Sequence, residues 1–512
     1  MTSRLARSDP PPARQTPRPL VAAILSALIP GAGQWYAGHR RRAWGYLAVT
    51  ALVAVPASIL LLLIFFVGGV GLALDLSRPF FRNPDLLLVL LVVNIVLLMF
   101  RAAAVVDAYV LAREQTPRHT GTTGGVVMAA ALAAILVFTT VPHAWAGQRN
   151  LALHDLLTYD FVTDPDQAAT TSTAPPTTVP GASTTSTTLP PETTTTTQPG
   201  PFAGQDRVNI LLLGSDAGLG RRGDRTDTMI VVSVDPQTGD TAMFGIPRNI
   251  IHIPIPPEHP AASRWPGGLF GGPDYLVWAV YAWGRDNPDL FDAPNAGGEA
   301  SKVILGNLLG LEVDYFAFVN LQGFVDIIDA LGGVDITVTR SMRDDRYPHP
   351  DGTYVTLVFD PGTYHMDGRE ALAFARTRRG SDDYDRMARQ RCVLEAMART
   401  ADPVSLLRAF PSLVPAIQQS VLTDIPMAMI PDFIELVGKV DTSRMASLRI
   451  MPNAPDLVGT GLSYISHTIE GYGVPNVELI RERVDIAINQ PPEISLPLLG
   501  VDPLSDVCGL EE

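Results

Sequence analysis

Acidic and arginine residues occur in this chain of 512 residues in a pattern suited to phosphoryl chemistry. Segment 224–227 reads Asp-Arg-Thr-Asp at the start of an apolar run, Arg248 follows the next run, and Arg376 and Arg378 lie further along. Carboxylates suit a hard divalent cation, and planar guanidinium groups grip phosphate oxygens through paired hydrogen bonds. These residue types favour chemistry on a diphosphate.

Three predicted strands must position the first of these side chains. Apolar runs of strand length lie at 208–214, 228–234 and 241–246, with turn residues at 235–240. Asp216 follows the first run, Arg225 and Asp227 enter the second, and Arg248 leaves the third. We therefore expect neighbouring strands to deliver these charged groups to one edge of a sheet.

Predicted helices precede the downstream arginines. Apolar spacing predicts a helix over 321–330, a strand over 334–338 and a second helix over 367–375. We expect Arg376 and Arg378 to follow this second helix in an extended segment, where alternate side chains point the same way. The two guanidinium groups would then converge on one ligand.

A further helix is predicted to begin near Asp383. Spacings of three and four residues place its side chains on neighbouring faces, as in a surface helix with salt bridges. We favour that interpretation for Arg386 and Arg391. Arg389 and Gln390 are instead candidates for the site.

Composition excludes a general nucleic-acid binder. The formal net charge is −14, and no basic tail or stripe is available to neutralise a phosphate backbone. Because only Lys302 and Lys439 are lysines among 38 basic residues, arginine at any single position carries little information. The clustering of arginines between residues 369 and 391 is more informative.

The first third of the chain is predicted to be a membrane region over 19–147. The stretches long enough to cross a hydrocarbon core of roughly 30 Å are 43–74, 86–112 and 124–146. Segment 20–36 is shorter and interrupted by Pro30 and two glycines, which fits a re-entrant or interfacial segment. The positive-inside bias predicts a cytoplasmic tail at 1–18 and export of everything after the membrane region. We expect a multi-pass protein of the cell membrane.

The rest of the chain divides into a linker, one large domain and a short tail. Segment 148–205 contains a Thr- and Pro-rich tract that cannot bury enough apolar surface to fold, so we expect an extended spacer. The domain is assigned to 206–490 and the tail to 491–512. Cys392 and Cys508 are the only cysteines, and an oxidised pair would tie this tail to the domain. Their spacing leaves the pairing open.

The order of these motifs resembles that of the LytR-CpsA-Psr family of cell-wall ligases. The resembling segments are 213–216, 224–228, 246–249, 323–334, 367–378 and 383–390. The resemblance implies an extracytoplasmic α/β/α domain with a central mixed sheet and a hydrophobic pocket for a polyprenyl chain. An α-helical membrane region precedes this domain.

The resemblance also implies an activity and its residues. A membrane-anchored phosphotransferase would move a glycopolymer from a polyprenyl diphosphate carrier onto peptidoglycan, assisted by Mg²⁺ or Mn²⁺. Asp216 and Asp227 would hold the metal. Asp224 would orient or deprotonate the acceptor hydroxyl, or else only orient Arg225. The residues implied to bind the diphosphate are Arg225, Arg248, Arg376, Arg378, Arg389 and Gln390, of which Arg225 and Arg248 are also assigned to catalysis.

Two positions depart from the family pattern. Asn249 stands where the family has an aspartate, and Trp278 stands where it has an asparagine. Two alternatives therefore stay open: a polyprenyl diphosphate pyrophosphatase, or a non-catalytic protein that binds the lipid carrier or the cell wall. The expected partners are the carrier-linked glycopolymer, peptidoglycan and membrane lipid, with no nucleic acid.

Overall fold

A computed structural model of the protein divides into two compact units, Met1–Thr158 and Tyr159–Glu512. The residues that it describes are 17–63, 69–116, 122–162, 202, 204–216, 225–265, 267–272, 274–348, 353–377, 383–401, 418 and 420–508. Most of the predicted linker lies outside these ranges.

The first unit is α-helical. Its helices are α1 (Pro19–Leu28), α2 (Ala32–Tyr36), α3 (Arg40–Leu63), α4 (Gly69–Arg82), α5 (Asp85–Glu114) and α6 (Thr122–Leu157). Among the described residues, three segments are long and apolar enough to cross a membrane: Arg40–Leu60, Asp85–Glu114 and Gly125–Leu157. The first predicted span, 43–74, differs from the structure because α3 ends at Leu63 and a separate helix begins at Gly69. Helix α6 continues past the predicted end of the membrane region.

The interrupted segment 20–36 forms α1 and α2, which pack beside α5. Gly33 is required at this contact, because a Cβ atom there would lie 2.0 Å from the Ala22 carbonyl oxygen. Gln34 is fully buried, and its amide donates to the Ala104 carbonyl at 2.8 Å and to Asp107 at 3.2 Å. These contacts satisfy the N–H donors of the buried Gln34 amide.

The second unit is built on a six-stranded mixed sheet with the order β11-β6-β1-β2-β3-β12. Its strands are β1 (Val208–Ser215), β2 (Thr226–Val234), β3 (Thr241–Ile246), β6 (Tyr315–Val319), β11 (Val421–Thr423) and β12 (Ala446–Arg449). Strand β2 runs antiparallel to β1 and β3, whereas β6 is parallel to β1 and β12 is parallel to β3.

Shorter strand pairs surround this sheet. They are β4 (Ile253–Pro254) with β5 (Leu269–Phe270), β7 (Val334–Val338) with β10 (Gly362–Met366), β8 (Met342–Pro348) with β9 (Tyr354–Phe359), and β13 (Ile465–Ile469) with β14 (Tyr472–Pro475). The α-helices are α7 (Val280–Asp286), α8 (Ala296–Leu309), α9 (Leu321–Leu331), α10 (Gly368–Arg376), α11 (Asp383–Thr400), α12 (Ile430–Val437), α13 (Val477–Asn489), α14 (Pro492–Leu499) and α15 (Leu504–Val507). A 3₁₀ turn at Val277–Ala279 leads into α7.

Helices cover both faces of the sheet, as the alternation of side chains along a strand requires. Leu211, Val231 and Phe244 pack on one face in a core that includes buried residues of α8 and α13. Ile230 and Met243 point to the other face, where residues of α11 and α15 cover them. The α/β fold with a central mixed sheet and a preceding set of apolar helices is confirmed.

Helices α9, α10 and α11 form a smaller core of their own with β7 and β10. Asp367 precedes α10 as the N-cap of a capping box. Its carboxylate accepts from the Glu370 backbone N–H, and the Glu370 carboxylate accepts from the Asp367 backbone N–H. Gly368 lets α10 approach α9, because a Cβ atom there would lie 2.2 Å from the Val325 carbonyl oxygen. The predicted order of helix, strand and helix over 321–375 is observed.

The predicted C-terminal tail is part of the folded unit. Leu504 is fully buried against the sheet, and Cys508 forms a disulfide bond with Cys392 of α11. The disulfide that the sequence left open is therefore formed in the structure. At the other end, the Phe161 carbonyl accepts a hydrogen bond from the Thr423 backbone N–H, so the unit begins earlier than residue 206.

Candidate active site

One edge of the central sheet collects the charged residues that follow or precede β1, β2 and β3. Because these neighbouring strands are antiparallel, the end of β1, the start of β2 and the end of β3 meet at the same edge. The Asp216 N–H donates to the Arg225 carbonyl at 3.1 Å, just beyond a register shift at Gly214/Ser215. Asp216, Arg225, Asp227 and Arg248 therefore stand together.

An ion-pair network joins this edge to the first turn of α11. Arg248 donates to Asp227 Oδ1 at 2.5 Å, and its Nε lies 3.6 Å from Asp383. Arg386 donates to Asp383 at 3.1 Å and to the Asp227 backbone carbonyl at 3.2 Å. Two carboxylates and two guanidinium groups thus alternate, which holds each side chain in a defined orientation.

A cavity of about 610 Å³ opens between this network, the second face of the sheet, and helices α9, α10 and α11. Its mouth carries Ser215, Asp216, Arg225, Asp227, Arg248, Asn320, Arg376, Arg386 and Gln390. Its apolar part is lined by Leu212, Ala317, Val319, Leu321, Phe324, Ile327, Leu372, Val393, Leu394 and Met397. Four arginines against two aspartates give the charged lining a net of two positive charges.

Six of the predicted site residues line this one cavity: Asp216, Arg225, Asp227, Arg248, Arg376 and Gln390. Arg376 reaches it from the last turn of α10 and not from an extended segment, because the helix continues one residue further than predicted. The chain becomes extended only at Thr377. Asp224 and Arg378 lie outside the described residues.

The structure does not bring Arg389 to the cavity. This side chain is buried, and its guanidinium donates to the backbone carbonyls of Phe374, at 2.9 Å, and Thr377. These bonds hold the end of α10 against α11. Arg391 is also structural, since it donates to the Ser447 carbonyl at 3.2 Å and its burial lowers the pKa to about 9.

Arg386 belongs to the cavity, although the sequence favoured a surface salt bridge for it. The Asp383–Arg386 pair predicted from the spacing does form, but Arg386 is only 3% exposed and also holds the backbone of β2. The spacing of three residues was a usable signal for the pair. The depth of burial depends on the packing of α11 against the sheet, which spacing does not report.

The carboxylates fit a divalent cation that also takes phosphate oxygens. Asp216 Oδ1 is buried without a hydrogen-bond partner in the described structure, an arrangement that suits a cation. Within the described ranges no group of three or more His, Cys, Asp or Glu side chains has metal-ligand spacing. Mg²⁺ commonly takes only one or two carboxylates together with substrate phosphates, so the pair Asp216 and Asp227 fits it.

Trp278 lies beside the cavity at one of the two departures from the family pattern. The Arg225 guanidinium lies over its ring, 4.7 Å from the centroid. The Trp278 carbonyl accepts a hydrogen bond from Thr226 Oγ1 at 3.0 Å, which ties the 3₁₀ turn to the start of β2. The indole face therefore supports an exposed arginine by a cation–π contact.

The chain belongs to the LytR_cpsA_psr family, whose sequence model matches residues 177–470. Among curated relatives, the polyisoprenyl-teichoic acid–peptidoglycan teichoic acid transferase TagU of Bacillus anthracis (strain CDC 684 / NRRL 3495) is 29% identical over 220 residues, which are 43% of this chain and 60% of the relative. The TagU of Halalkalibacterium halodurans is 26% identical over 226 residues, 44% of this chain and 62% of the relative. The chain thus spans less than two thirds of the length of these relatives.

Solved structures of similar proteins match part of this chain. Bacillus subtilis TagV is 22% identical with a TM-score of 0.39, over 56% of this chain and 99% of the other. TagT bound to LI-WTA is 21% identical with a TM-score of 0.38, over 56% of this chain and 92% of the other.

Proposed function

We propose that this protein is a membrane-anchored phosphotransferase that moves a glycopolymer from a polyprenyl diphosphate carrier onto peptidoglycan. The observation that carries the proposal is a single cavity with a cationic mouth and an apolar interior, in a member of this family. Both parts of a lipid diphosphate find a matching surface there. The names of the curated relatives describe transfer of teichoic acid from a polyisoprenyl carrier to peptidoglycan.

The apolar part of the cavity would receive the polyprenyl chain. Its side chains come from the sheet and from three helices. Removing an apolar chain from water into such a surface is favourable at roughly 25 cal/mol per Å². The diphosphate would remain at the mouth, because a buried phosphate without cationic partners is strongly disfavoured.

The arginines at the mouth would stabilise the charge that develops on the transferred phosphoryl group. The acceptor hydroxyl oxygen bonds to the phosphorus that carries the glycan, and the bond from that phosphorus to the polyprenyl phosphate oxygen breaks. Polyprenyl monophosphate leaves. Arg225 and Arg376 face this position without an ion-pair partner among the described residues, while Arg248 and Arg386 are oriented by Asp227 and Asp383. Such preorganised donors lower the barrier because they need no rearrangement during the reaction.

Asp216 and Asp227 would hold Mg²⁺, or Mn²⁺ in its place. The cation would supply neutralisation of the diphosphate charge. We assign proton removal from the acceptor hydroxyl to Asp224, which lies outside the described residues. Asp227 has a second task, because it also fixes Arg248.

We further propose that the protein is a multi-pass protein of the cell membrane with its cavity outside the cytoplasm. The three long apolar helices support the membrane assignment, and the arginine-rich segments at 1–18 and 40–42 support the orientation. Membrane lipid would then be a partner of the first unit. An acceptor in the cell wall requires this orientation.

The test uses the full-length protein in detergent with a purified polyprenyl diphosphate-linked glycopolymer, peptidoglycan and Mg²⁺. We expect covalent polymer–peptidoglycan product, and a loss of at least about 100-fold in rate for Asp227→Asn, because a metal ligand and an arginine-orienting group are lost together. Asp289→Asn is the matched control, since Asp289 pairs with Arg264 at 3.2 Å on the surface. This variant should retain the wild-type rate.

Other results would assign a different function. Cleavage of the carrier with water as acceptor, and no polymer attached to peptidoglycan, would identify a pyrophosphatase. Tight binding of the carrier without any cleavage, unchanged by Asp227→Asn, would identify a non-catalytic binding protein. Chelation of divalent ions should abolish transfer, and full activity in excess chelator would remove the metal from the proposal.

A further inference from the structure

Two aromatic side chains form an exposed corner near the mouth of the cavity. Tyr275 is 46% exposed, and its ring meets the half-buried Trp265 ring at 85° with 5.5 Å between the centroids. We call these two rings the aromatic corner. The Tyr275 hydroxyl has no hydrogen-bond partner among the described residues. The corner therefore offers solvent an apolar ring and an unpaired hydroxyl group.

Further aromatic side chains support the corner from behind. Trp265 packs against Phe270, at 5.1 Å between ring centroids, and against Trp283, at 6.1 Å. The backbone of Tyr275 is fixed in a tight turn, because its N–H donates to the Gly272 carbonyl at 3.1 Å and its carbonyl accepts from the Gly272 N–H at 2.9 Å. The corner is therefore largely preformed, which reduces the entropy lost when a ligand binds.

Hydrogen bonds tie the segment that carries Tyr275 to the edge of the sheet where β1 ends. The Val277 N–H donates to the Ile250 carbonyl at 3.1 Å, just after β3, and Thr226 Oγ1 at the start of β2 donates to the Trp278 carbonyl at 3.0 Å. Three residues span at most about 11 Å, so the Tyr275 backbone lies within that distance of Trp278, whose ring supports an arginine of the mouth. The corner is thus a near neighbour of the site.

This segment and the lipid cavity lie on opposite faces of the sheet. Val277 and Val280 pack with Leu211 into the core on the face that α8 and α13 cover. The apolar part of the cavity opens on the other face, where Leu212 and helices α9, α10 and α11 line it. The aromatic corner therefore approaches the mouth from the side away from the polyprenyl chain.

The geometry of the proposed reaction places the acceptor on the side of the corner. In phosphoryl transfer the attacking and leaving oxygens stand roughly in line on opposite sides of the phosphorus. With the polyprenyl chain in the cavity, the leaving polyprenyl phosphate oxygen is on the cavity side. The acceptor hydroxyl oxygen then enters from the opposite side, so a ligand on the corner is attached to the attacking group.

The chemistry of the corner suits a saccharide. A pyranose ring presents C–H groups on its faces and hydroxyl groups at its edges, so it packs on an aromatic ring and still reaches polar partners. The exposed carboxylate of Asp274, next to Tyr275 in the chain, disfavours an anionic lipid surface as the ligand.

We propose that the aromatic corner binds the glycan strand of the acceptor, with one sugar ring stacked on Tyr275 while a neighbouring sugar presents its hydroxyl group to the phosphorus. This inference rests on the proposed function and assigns a site to its acceptor. Tyr275 holds the strand in place and takes no part in the bonds that form and break.

The experiment measures transfer by the full-length protein in detergent, with soluble peptidoglycan glycan strands as the acceptor and a carrier-linked glycopolymer as the donor. We expect Tyr275→Ala to raise KM for the strands about fivefold, because an aromatic contact with a sugar ring is lost. The kcat and the KM for the donor should stay within about twofold of wild type. Tyr275→Phe should keep KM for the strands close to the wild-type value, since it retains the ring.

Tyr354→Ala is the matched control. Tyr354 is an exposed tyrosine on β9, and the Arg346 guanidinium lies 5.2 Å from its ring centroid. This variant should leave KM for the strands unchanged. If Tyr275→Ala also leaves that KM unchanged while wild-type transfer is intact, the inference is overturned and the proposed function stands. An equal rise in KM for the donor would assign the corner to the donor and also overturn the inference.

Failure of the proposed function gives a different pattern. If the wild-type protein transfers nothing, equilibrium binding of the same strands still tests the corner. Weaker binding by Tyr275→Ala than by the wild type would then support the corner as a glycan site while removing the transferase. Equal or undetectable binding by the two proteins would remove both.

Discussion

The two edges of the central sheet carry the same residue types and use them differently. At the edge where β1 begins, Arg207 donates to Ser233 Oγ at 2.7 Å and to the backbone carbonyls of Ser233, Asp240 and Ile488 at 2.8 to 3.0 Å. At the edge where β1 ends, Arg225 rests on an indole ring and Arg376 has no partner among the described residues.

This difference separates structural arginines from candidate functional ones. A guanidinium whose donors are all satisfied by the protein has little left to offer a ligand, and it joins strands and helices instead. A guanidinium group that lines a cavity and keeps unpaired N–H donors can bind phosphate oxygens. Because arginine supplies almost all of the basic residues in this chain, the hydrogen-bond partners of a guanidinium group say more about its role than its residue type does.

The largest expected effect is at the edge where β1 ends. Arg248→Ala should lower kcat/KM by about 100-fold or more, because a preorganised donor at the developing charge is lost and Asp227 is released. The melting temperature should change little, since the side chain is partly exposed. Activity assays and thermal unfolding of the same preparation check this. A variant that loses melting temperature and activity together would place Arg248 with the structural arginines.

At the edge where β1 begins, Arg207→Ala should lower stability and leave turnover nearly unchanged. The substitution removes four hydrogen bonds that join β2, the β2–β3 turn and α13, so the free energy of unfolding should fall by about 2–3 kcal/mol. Chemical denaturation of the full-length protein measures this change. The kcat/KM of the folded protein should stay within about twofold of wild type. A specific loss of turnover at unchanged stability would contradict the contrast between the edges.

Trp278→Ala should lower kcat/KM moderately, through Arg225 at the edge where β1 ends. Without the indole face, Arg225 samples more orientations, and kcat/KM should fall about fivefold or less. Trp278→Phe should restore most of the activity, because it keeps an aromatic face. In an Arg225→Ala background, Trp278→Ala should cause no additional loss. An additive loss in that double variant would show that Trp278 acts independently of Arg225.

The smallest effect concerns a charged pair away from both edges. The hydrogen bond with Asp335 at 2.7 Å raises the pKa of His365 above its usual value, aided by the Gly332 carbonyl. Because the folded pKa is raised, this contribution to stability is complete below pH 6.5 and is lost as the pH rises through the folded value. An NMR titration should show Asp335→Asn lowering the His365 pKa, with no change in the pH dependence of turnover. A change in the pH dependence of turnover in Asp335→Asn would show that the His365–Asp335 pair contributes to the active site.

Local patterns predicted much of the fold. Strands β1, β2, β3 and β7 and helices α9, α10 and α11 occur where the apolar spacing placed them, since that spacing reports which face of an element is buried. The end of α10 was misjudged by one residue, which changed the backbone assigned to Arg376. The C-terminal segment looked like a tail because its apolar residues gain burial only against α11 and the sheet.

The sequence by itself determined the family, the order of the elements and the set of charged residues that meet at one sheet edge, because all three are written in local spacing and motif order. Only the tertiary structure decided which arginine side chains keep donors available to a ligand. Arg386 is buried by its contact with β2, Arg389 donates to the end of α10, and Arg369 has no hydrogen-bond or ion-pair partner among the described residues. The partners that satisfy a guanidinium come from distant parts of the chain, so its availability is a property of the folded protein.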